Sequence, residues 1–368
     1  VRGEQQGEWL RRGRIDHDNF REALRFALQE HHCEQAISIA GGLWWFWYRQ
    51  GFINEGRSWL AQSLQCAPTA NGEAWTPASN DSKRRRAIAC NGAGSMASEQ
   101  GDFESAIASF QAAMALYTDL DDPIGSSAVL HNMGLVASGQ GNYAQAMRWL
   151  EDSLRLEQRT ENPQIALGTA NLGITAYEMG DLPLAKEWLE KAWQLAQVEV
   201  DTWAQAFIAN GMAEVLRAMG DLERATLLAH ESLRRFVQLN DQHYLPEPSL
   251  ILANIALTRG DVATARSEAL AVLQQYQELK DDHGIANTLF VLARLTLVES
   301  DNITSATCAA PLLGVSIHLR SQVGRRLSVP EEKERRELRA AIEQRIGAAE
   351  TEQLIRNAPT VEWQQMLK

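Results

Sequence analysis

Proline and glycine are scarce in this chain of 368 residues, at 10 and 25 respectively. That scarcity excludes a collagen-like or low-complexity chain. Cysteine is scarcer still: Cys33, Cys66, Cys90 and Cys308 lie far apart, with no CxxC pair. The pattern excludes a disulfide scaffold or zinc ribbon and reads as reduced thiols of a cytosolic protein. Long apolar runs are missing too. The longest, Gly41 to Tyr48, is less than half of the ~20 residues a membrane-spanning helix needs. Cations are outnumbered, 35 against 47 anions, for a net charge of −12. Nucleic acid and anionic lipid should therefore repel the chain. It opens at Val1 on charged and polar residues, which predicts no signal peptide and a piece cut from a longer polypeptide.

What is present is helix-forming. Ala, Leu, Glu and Gln are common, 45% of residues are hydrophobic and 11 are tryptophan, enough for a large core. At ~150 residues per domain the length predicts two or three domains, but internal repetition revises this. Gly-Asp or Gly-Asn recurs at Gly101, Gly141, Gly180, Gly220 and Gly260, at spacings of 40, 39, 40 and 40, with a degenerate copy at Ser300-Asp301. Each Gly supplies a left-handed helix end, and each Asp or Asn caps the next helix. Small residues sit seven before and five after each turn: Gly94/Ala106, Gly134/Ala146, Gly173/Ala185, Ala213/Ala225, Ala253/Ala265 and Ala293/Ser305. Four residues further on stand Phe110, Leu150 and Leu189. The unit is a helical hairpin whose two helices approach closely where both lack bulk.

The stretches Asn132-Met133-Gly134 with Gly141-Asn142-Tyr143 and Ala146, and Asn171-Leu172-Gly173 with Gly180-Asp181 and Ala185, resemble the tetratricopeptide repeat (TPR) in a 40-residue variety. The resemblance implies an all-α, TPR-like α-solenoid: a right-handed superhelix of antiparallel helix pairs, concave wall built from the first helix of each pair. The expected organisation is a helical opening region at 1–66, a loop at 67–86, six hairpins at 87–308 and a helical cap at 309–368. In the opening region Gly51 reads as a turn, with Trp44 opposite Gly56 across an irregular hairpin.

The ends are similar to something narrower. Trp9-Leu10, Asp16 to Asn19, Leu43-Trp44 to Trp47 and Gly56 to Leu60 look like the start of the repeat array in bacterial signal-transduction ATPases of the STAND class. Many of these are LuxR-type transcriptional regulators. Ala309 to Gly314 with Leu319-Arg320 is similar to the usual end of such arrays. The resemblance implies a nucleotide-binding module upstream, in cis.

Chemistry-bearing motifs are few. There is no GxxxxGK[ST], HExxH or GxSxG, so neither enzyme nor cofactor is expected here. Gly92 to Ser95 reads as close helix packing. His31, His32 and Cys33 read as an exposed turn and His17-Asp18 as polarity at a helix start. Lys83 to Arg86 reads as a solvated helix start, and the aromatic run Trp44 to Tyr48 as core. What remains is the concave face. The repeat register places Asn91, Ser95, Glu99, His131, Ser138, Tyr177, Glu178, Asn210, Glu214, Arg217, Asn254 and Arg294 on it. The expectation is a non-catalytic, cytoplasmic sensor that binds a protein or peptide segment, or a small polar inducer, and regulates its neighbouring module. A stand-alone peptide-binding adaptor is the alternative.

Overall fold

The computed structural model describes residues 6–66, 79–160, 165–199, 201–300 and 302–358, which hold eighteen helices and no strand. Two short helices, α1 (Gln6–Ile15) and α2 (His17–Gln29), lead into a first hairpin of α3 (Cys33–Arg49) and α4 (Ile53–Gln65). Six hairpins follow: α5 (Asn80–Glu99) with α6 (Phe103–Asp119), α7 (Pro123–Gly139) with α8 (Tyr143–Glu157), and α9 (Ala166–Met179) with α10 (Leu182–Glu199). Next come α11 (Thr202–Met219) with α12 (Leu222–Leu239), α13 (Pro246–Thr258) with α14 (Val262–Leu279), and α15 (Asp282–Glu299) with α16 (Ile303–Val323). Two helices close the chain, α17 (Val329–Ile346) and α18 (Ala348–Asn357). Each hairpin packs internally and against the next, which makes the fold an α-solenoid of the TPR type.

The turns follow the expected chemistry with one departure. Gly101, Gly141, Gly180, Gly220 and Gly260 all have φ between 72° and 92°. The amide after each glycine reaches back to the preceding helix, as from Asp102 to the Ala97 carbonyl (3.0 Å) and from Asp221 to Leu216 (2.9 Å). Asp102, Asp221 and Asp261 then cap the following helix through their side chains, whereas Asn142 does not. In the last hairpin Asn302 takes the capping role by accepting from the Ser305 amide; Asp301 lies outside the described residues.

The paired small positions interlock with large ones. A Cβ at Gly94 would fall 2.5 Å from the Phe110 ring, and one at Gly134 or Gly173 would fall 2.7 Å from Leu150 or Leu189. Phe110, Leu150 and Leu189 are fully buried in these notches. The first hairpin obeys the same rule in another register. Gly56 receives Trp47, and Trp44 lies against Gly92 of α5, which corrects the expected pairing of Trp44 with Gly56.

Three further expectations are corrected. Helix α5 begins at Asn80 with Ser79 as its cap, so the loop does not extend to 86; residues 67–78 of that stretch lie outside the described residues. The boundary at 309 falls inside α16, which continues through Pro311 to Val323. Cys33 and Cys66 form a disulfide with Cα atoms 5.4 Å apart, because antiparallel packing brings the start of α3 to the end of α4. Sequence separation hides this proximity.

The array also closes on itself. Arg49 of α3 is fully buried and meets Asp241, in the α12–α13 connection, at 2.6 Å. Trp203 of α11 donates to the same carboxylate (2.9 Å), and the Arg49 guanidinium lies 3.7 Å from the Trp203 ring centroid. Beside them the Tyr48 and Tyr244 hydroxyls are 3.1 Å apart. From the end of α16 the chain then crosses three turns in succession. Val323 touches Gly101, the Arg326 amide donates to the Gly139 carbonyl (2.8 Å), and Val329 packs beside Gly180. This strap runs into α17, whose Leu338 and Ile342 join the core of the last hairpins. Helix α18 closes that core, with Ile355 and Ala358 packed against Gly314.

Candidate functional site

Among the described residues, the inner wall lines two cavities of different chemistry. The larger, about 580 Å³, lies between the first hairpin and the α11–α13 region. One side is aromatic. The Trp45 and Tyr48 rings are stacked at 5.6 Å with an interplanar angle of 3°, and Trp203, Phe207 and Tyr244 face them. Trp45 and Tyr48 reach the cavity because the six consecutive bulky residues Leu43 to Tyr48 of α3 put bulk on every face of the helix. Phe46 and Trp47 are buried while Trp44, Trp45 and Tyr48 are half-exposed. The expectation that Trp44 to Tyr48 is all core is thus corrected: Trp44, Trp45 and Tyr48 line the cavity.

The opposite side is a row of amides and hydroxyls. Asn132 donates to Asn91 Oδ1 at 2.9 Å and lies 3.4 Å from Ser95 Oγ. Asn171 pairs with His131 Nε2 at 2.9 Å. Glu99 accepts from the Tyr48 hydroxyl (3.1 Å) and faces Arg325 of the strap at 3.7 Å. Burial, with Glu99 beside it, pushes the Tyr48 hydroxyl well above the ordinary phenol range, so it stays a donor. Amides with both donor and acceptor capacity, set opposite flat apolar rings, suit a ligand with polar edges and apolar faces.

The smaller cavity, about 170 Å³, is lined by Tyr177, Asn210, Glu214, Arg217 and Asn254, together with Glu334 of α17. The Tyr177 hydroxyl donates to Glu214 at 2.8 Å, and Arg217 grips Glu214 at 2.7 Å and Glu334 at 3.0 Å. Arg294 donates to Asn254 Oδ1 (2.9 Å) and pairs with Glu334 (3.1 Å). Burial alone would raise the Glu214 carboxyl, but Arg217 holds it below its ordinary value, so it remains ionised. Glu247 on the same wall lacks such a partner; burial and the Asp281 charge push it up to about 7. Ser138 and Glu178 line neither cavity. They are hydrogen-bonded to each other, and burial raises the Glu178 carboxyl.

Sequence reading missed Asn132 and Asn171, which it took as repeat signature, and Trp45 and Tyr48, which it took as core. The recurrence of Asn at 91, 132, 171 and 210 is a signal that was there to find. The C-terminal contributors Arg325, Glu331 and Glu334 carry no such signal, because nothing in the period says that the chain returns across its own turns. Elsewhere, His17 is buried between Phe46 and Phe52, and Lys83, Arg84 and Arg85 pair with acidic neighbours. No helix among the described residues is long and apolar enough to cross a membrane.

An array of two-helix repeats curled around a lined groove defines a TPR-type binding scaffold. The chain belongs to the MalT-like TPR region family, whose sequence model matches residues 87–305, more than half of its length. Among curated proteins it is similar to the Photosystem I assembly protein Ycf3 of Acaryochloris marina, with 26% identity over 137 residues, 37% of this chain and 78% of that protein. Among solved structures, a Rap protein complexed with competence and sporulation factor superposes with a TM-score of 0.53 at 12% identity, covering 87% of this chain and 99% of that one. Aspartyl phosphate phosphatase F from Bacillus subtilis gives 0.50 at 12% identity, covering 86% and 95%. At such identities these two structures speak for the fold alone.

Proposed function

We propose that this chain is a non-catalytic sensor that takes a ligand or partner segment into its concave groove and passes the event to a STAND-type nucleotide-binding module in cis. The observation that carries the reading is the larger cavity, where the rings of Trp45 and Tyr48 face the amides of Asn132 and Asn171. A groove closed at Arg49 and Asp241 has two arrangements available, seam shut or seam open. An occupant that favours one shifts the population of the whole superhelix, and a module attached to it would read that shift. The Rap protein named above was solved in complex with competence and sporulation factor, which supports a bound occupant for the same fold here. The STAND connection rests on the two chain ends and on the MalT-like family. Cytoplasmic placement rests on the same resemblance, since the disulfide removes the argument from cysteine. The net charge of −12 favours partners other than nucleic acid.

The test is a binding screen of peptides and polar small molecules against the wild-type chain and a Trp45→Ala/Asn132→Ala double variant. An occupant of this site should lose at least tenfold in affinity in the double variant. It should lose nothing on substitution of Glu190, which faces solvent. Equal affinity for all three proteins would refute the reading.

A further inference from the structure

The lower half of the groove already holds a ligand, and the ligand belongs to the chain itself. Residues 324–337, the strap and the first turns of α17, meet the wall chiefly through polar groups. Arg325 faces Glu99, the Arg326 amide donates to Gly139, Glu331 pairs with Arg320 at 3.1 Å, and Glu334 sits between Arg217 and Arg294. Within it Leu327, at the edge of the smaller cavity, and Val329, beside Gly180, make apolar contacts, but neither belongs to the buried core, which the chain rejoins at Leu338 and Ile342. The polar contacts can be taken over by another carboxylate that satisfies the same arginines, whereas a run of buried apolar contacts offers no such substitution. The segment is therefore a strap fixed at both ends and releasable in the middle.

Without the strap, the wall of the smaller cavity keeps Arg217 and Arg320, with Arg294 at its edge beside Asn254, against the ionised Glu214 and against Glu247, whose carboxyl is pushed up to about 7. Three cations against these two carboxyls are a local excess of positive charge in a chain whose sum is −12. Asn210 Oδ1, on the same wall, is buried with no hydrogen-bond partner among the described residues. Two arginines converging on one carboxylate are a recognition device, because the guanidinium fork fits carboxylate geometry and stays charged.

We propose that Arg217 and Arg294, steadied by Asn254, form a carboxylate-binding site whose resting occupant is Glu334, and that an acidic peptide segment of a partner takes the place of Glu334 and lifts the strap. The proposal rests on the groove being a binding surface and names the chemistry of one occupant. The stretch Glu331-Glu332-Lys333-Glu334 is the chain's own imitation of that partner. Because the imitation is tethered, it competes at high effective concentration, so the partner's apparent affinity is reduced by the fraction of time the strap is closed. Arg325 also lines the larger cavity, so lifting the strap removes a cation from that site and couples the two halves.

The experiment uses the full chain, wild type and Glu334→Gln, with Lys333→Gln, whose side chain is 73% exposed, as control. Amide hydrogen exchange is followed across the chain. Binding is measured to a synthetic peptide of residues 328–340 and to its E334Q twin. The expected result is at least tenfold faster exchange at 329–337 in Glu334→Gln, with α9 and α15 unchanged and Lys333→Gln like wild type. The peptide should bind the Glu334→Gln chain at least tenfold tighter than wild type, and its twin at least tenfold more weakly. Unchanged exchange, faster exchange in α9 and α15 alike, or equal binding of peptide and twin would overturn the proposal. A segment bound at Trp45 and Tyr48 with the strap still protected would overturn it too, yet leave the proposed sensor function standing. Strap release and peptide capture with no occupant at the aromatic cavity would do the reverse.

Discussion

The two faces of each first helix in a hairpin obey different rules. The face toward its partner helix is dry and interlocked: Gly94, Gly134 and Gly173 accept Phe110, Leu150 and Leu189, and the pattern repeats at a fixed period. The face toward the groove is aromatic at one end of the array, amide-rich next, and charged at the other end; apart from the asparagines at 91, 132, 171 and 210 it keeps no period. A solenoid needs every hairpin to stack alike, which fixes the first face. Nothing in stacking constrains the second, so recognition chemistry can vary there without cost to the fold.

Breaking the interlock should have the largest effect. Phe110→Ala removes a fully buried ring from a notch that nothing else fills, and the expected loss is about 3–5 kcal/mol in denaturant-induced unfolding. The groove face should instead answer to pH. The Glu247 carboxyl titrates at about 7 in the folded chain against 4.5 as the ordinary value, so the folded state holds its proton more tightly than the unfolded state does. The stability this proton contributes is full below pH 4.5 and is lost as pH rises through 7. Comparing wild type with Glu247→Gln between pH 4.5 and 8 should show a steeper decline in wild type, Glu178 contributing equally to both; parallel curves would mean that the group titrates normally. The convex face should respond least. Arg266 and Glu299 form an exposed pair between hairpins, and Arg266→Ala should cost less than about 1 kcal/mol and fade with salt.

These differences also explain how much the sequence discloses. The hairpins, their turns and the small-to-large interlock are local, spaced by tens of residues, and they recur, so Gly101 to Gly260 announce them. Asn91, His131, Tyr177 and Arg217 are placed on the wall by the same register. Contacts that close one superhelical turn carry no period. Arg49 and Asp241 are 192 residues apart, and Glu334 is 117 from Arg217. The aromatic run of α3 misleads for a related reason: a helix apolar on all faces looks like core whether it is packed on every side or lines a cavity on one. The disulfide escapes because Cys33 and Cys66 meet only through the fold of their hairpin.

The central claim is that the array closes on itself and so encloses a cavity. The most direct measurement is a double-mutant cycle on Arg49 and Asp241, with unfolding free energies of Arg49→Met, Asp241→Asn and the pair. Each single variant leaves a buried partner unmatched, and the expected cost of Arg49→Met is about 3 kcal/mol. The account predicts that the double variant loses less than the sum of the singles by at least about 1 kcal/mol, the coupling of residues in direct contact. Additive losses would mean that α3 and the α12–α13 connection do not meet, and would contradict the closed groove.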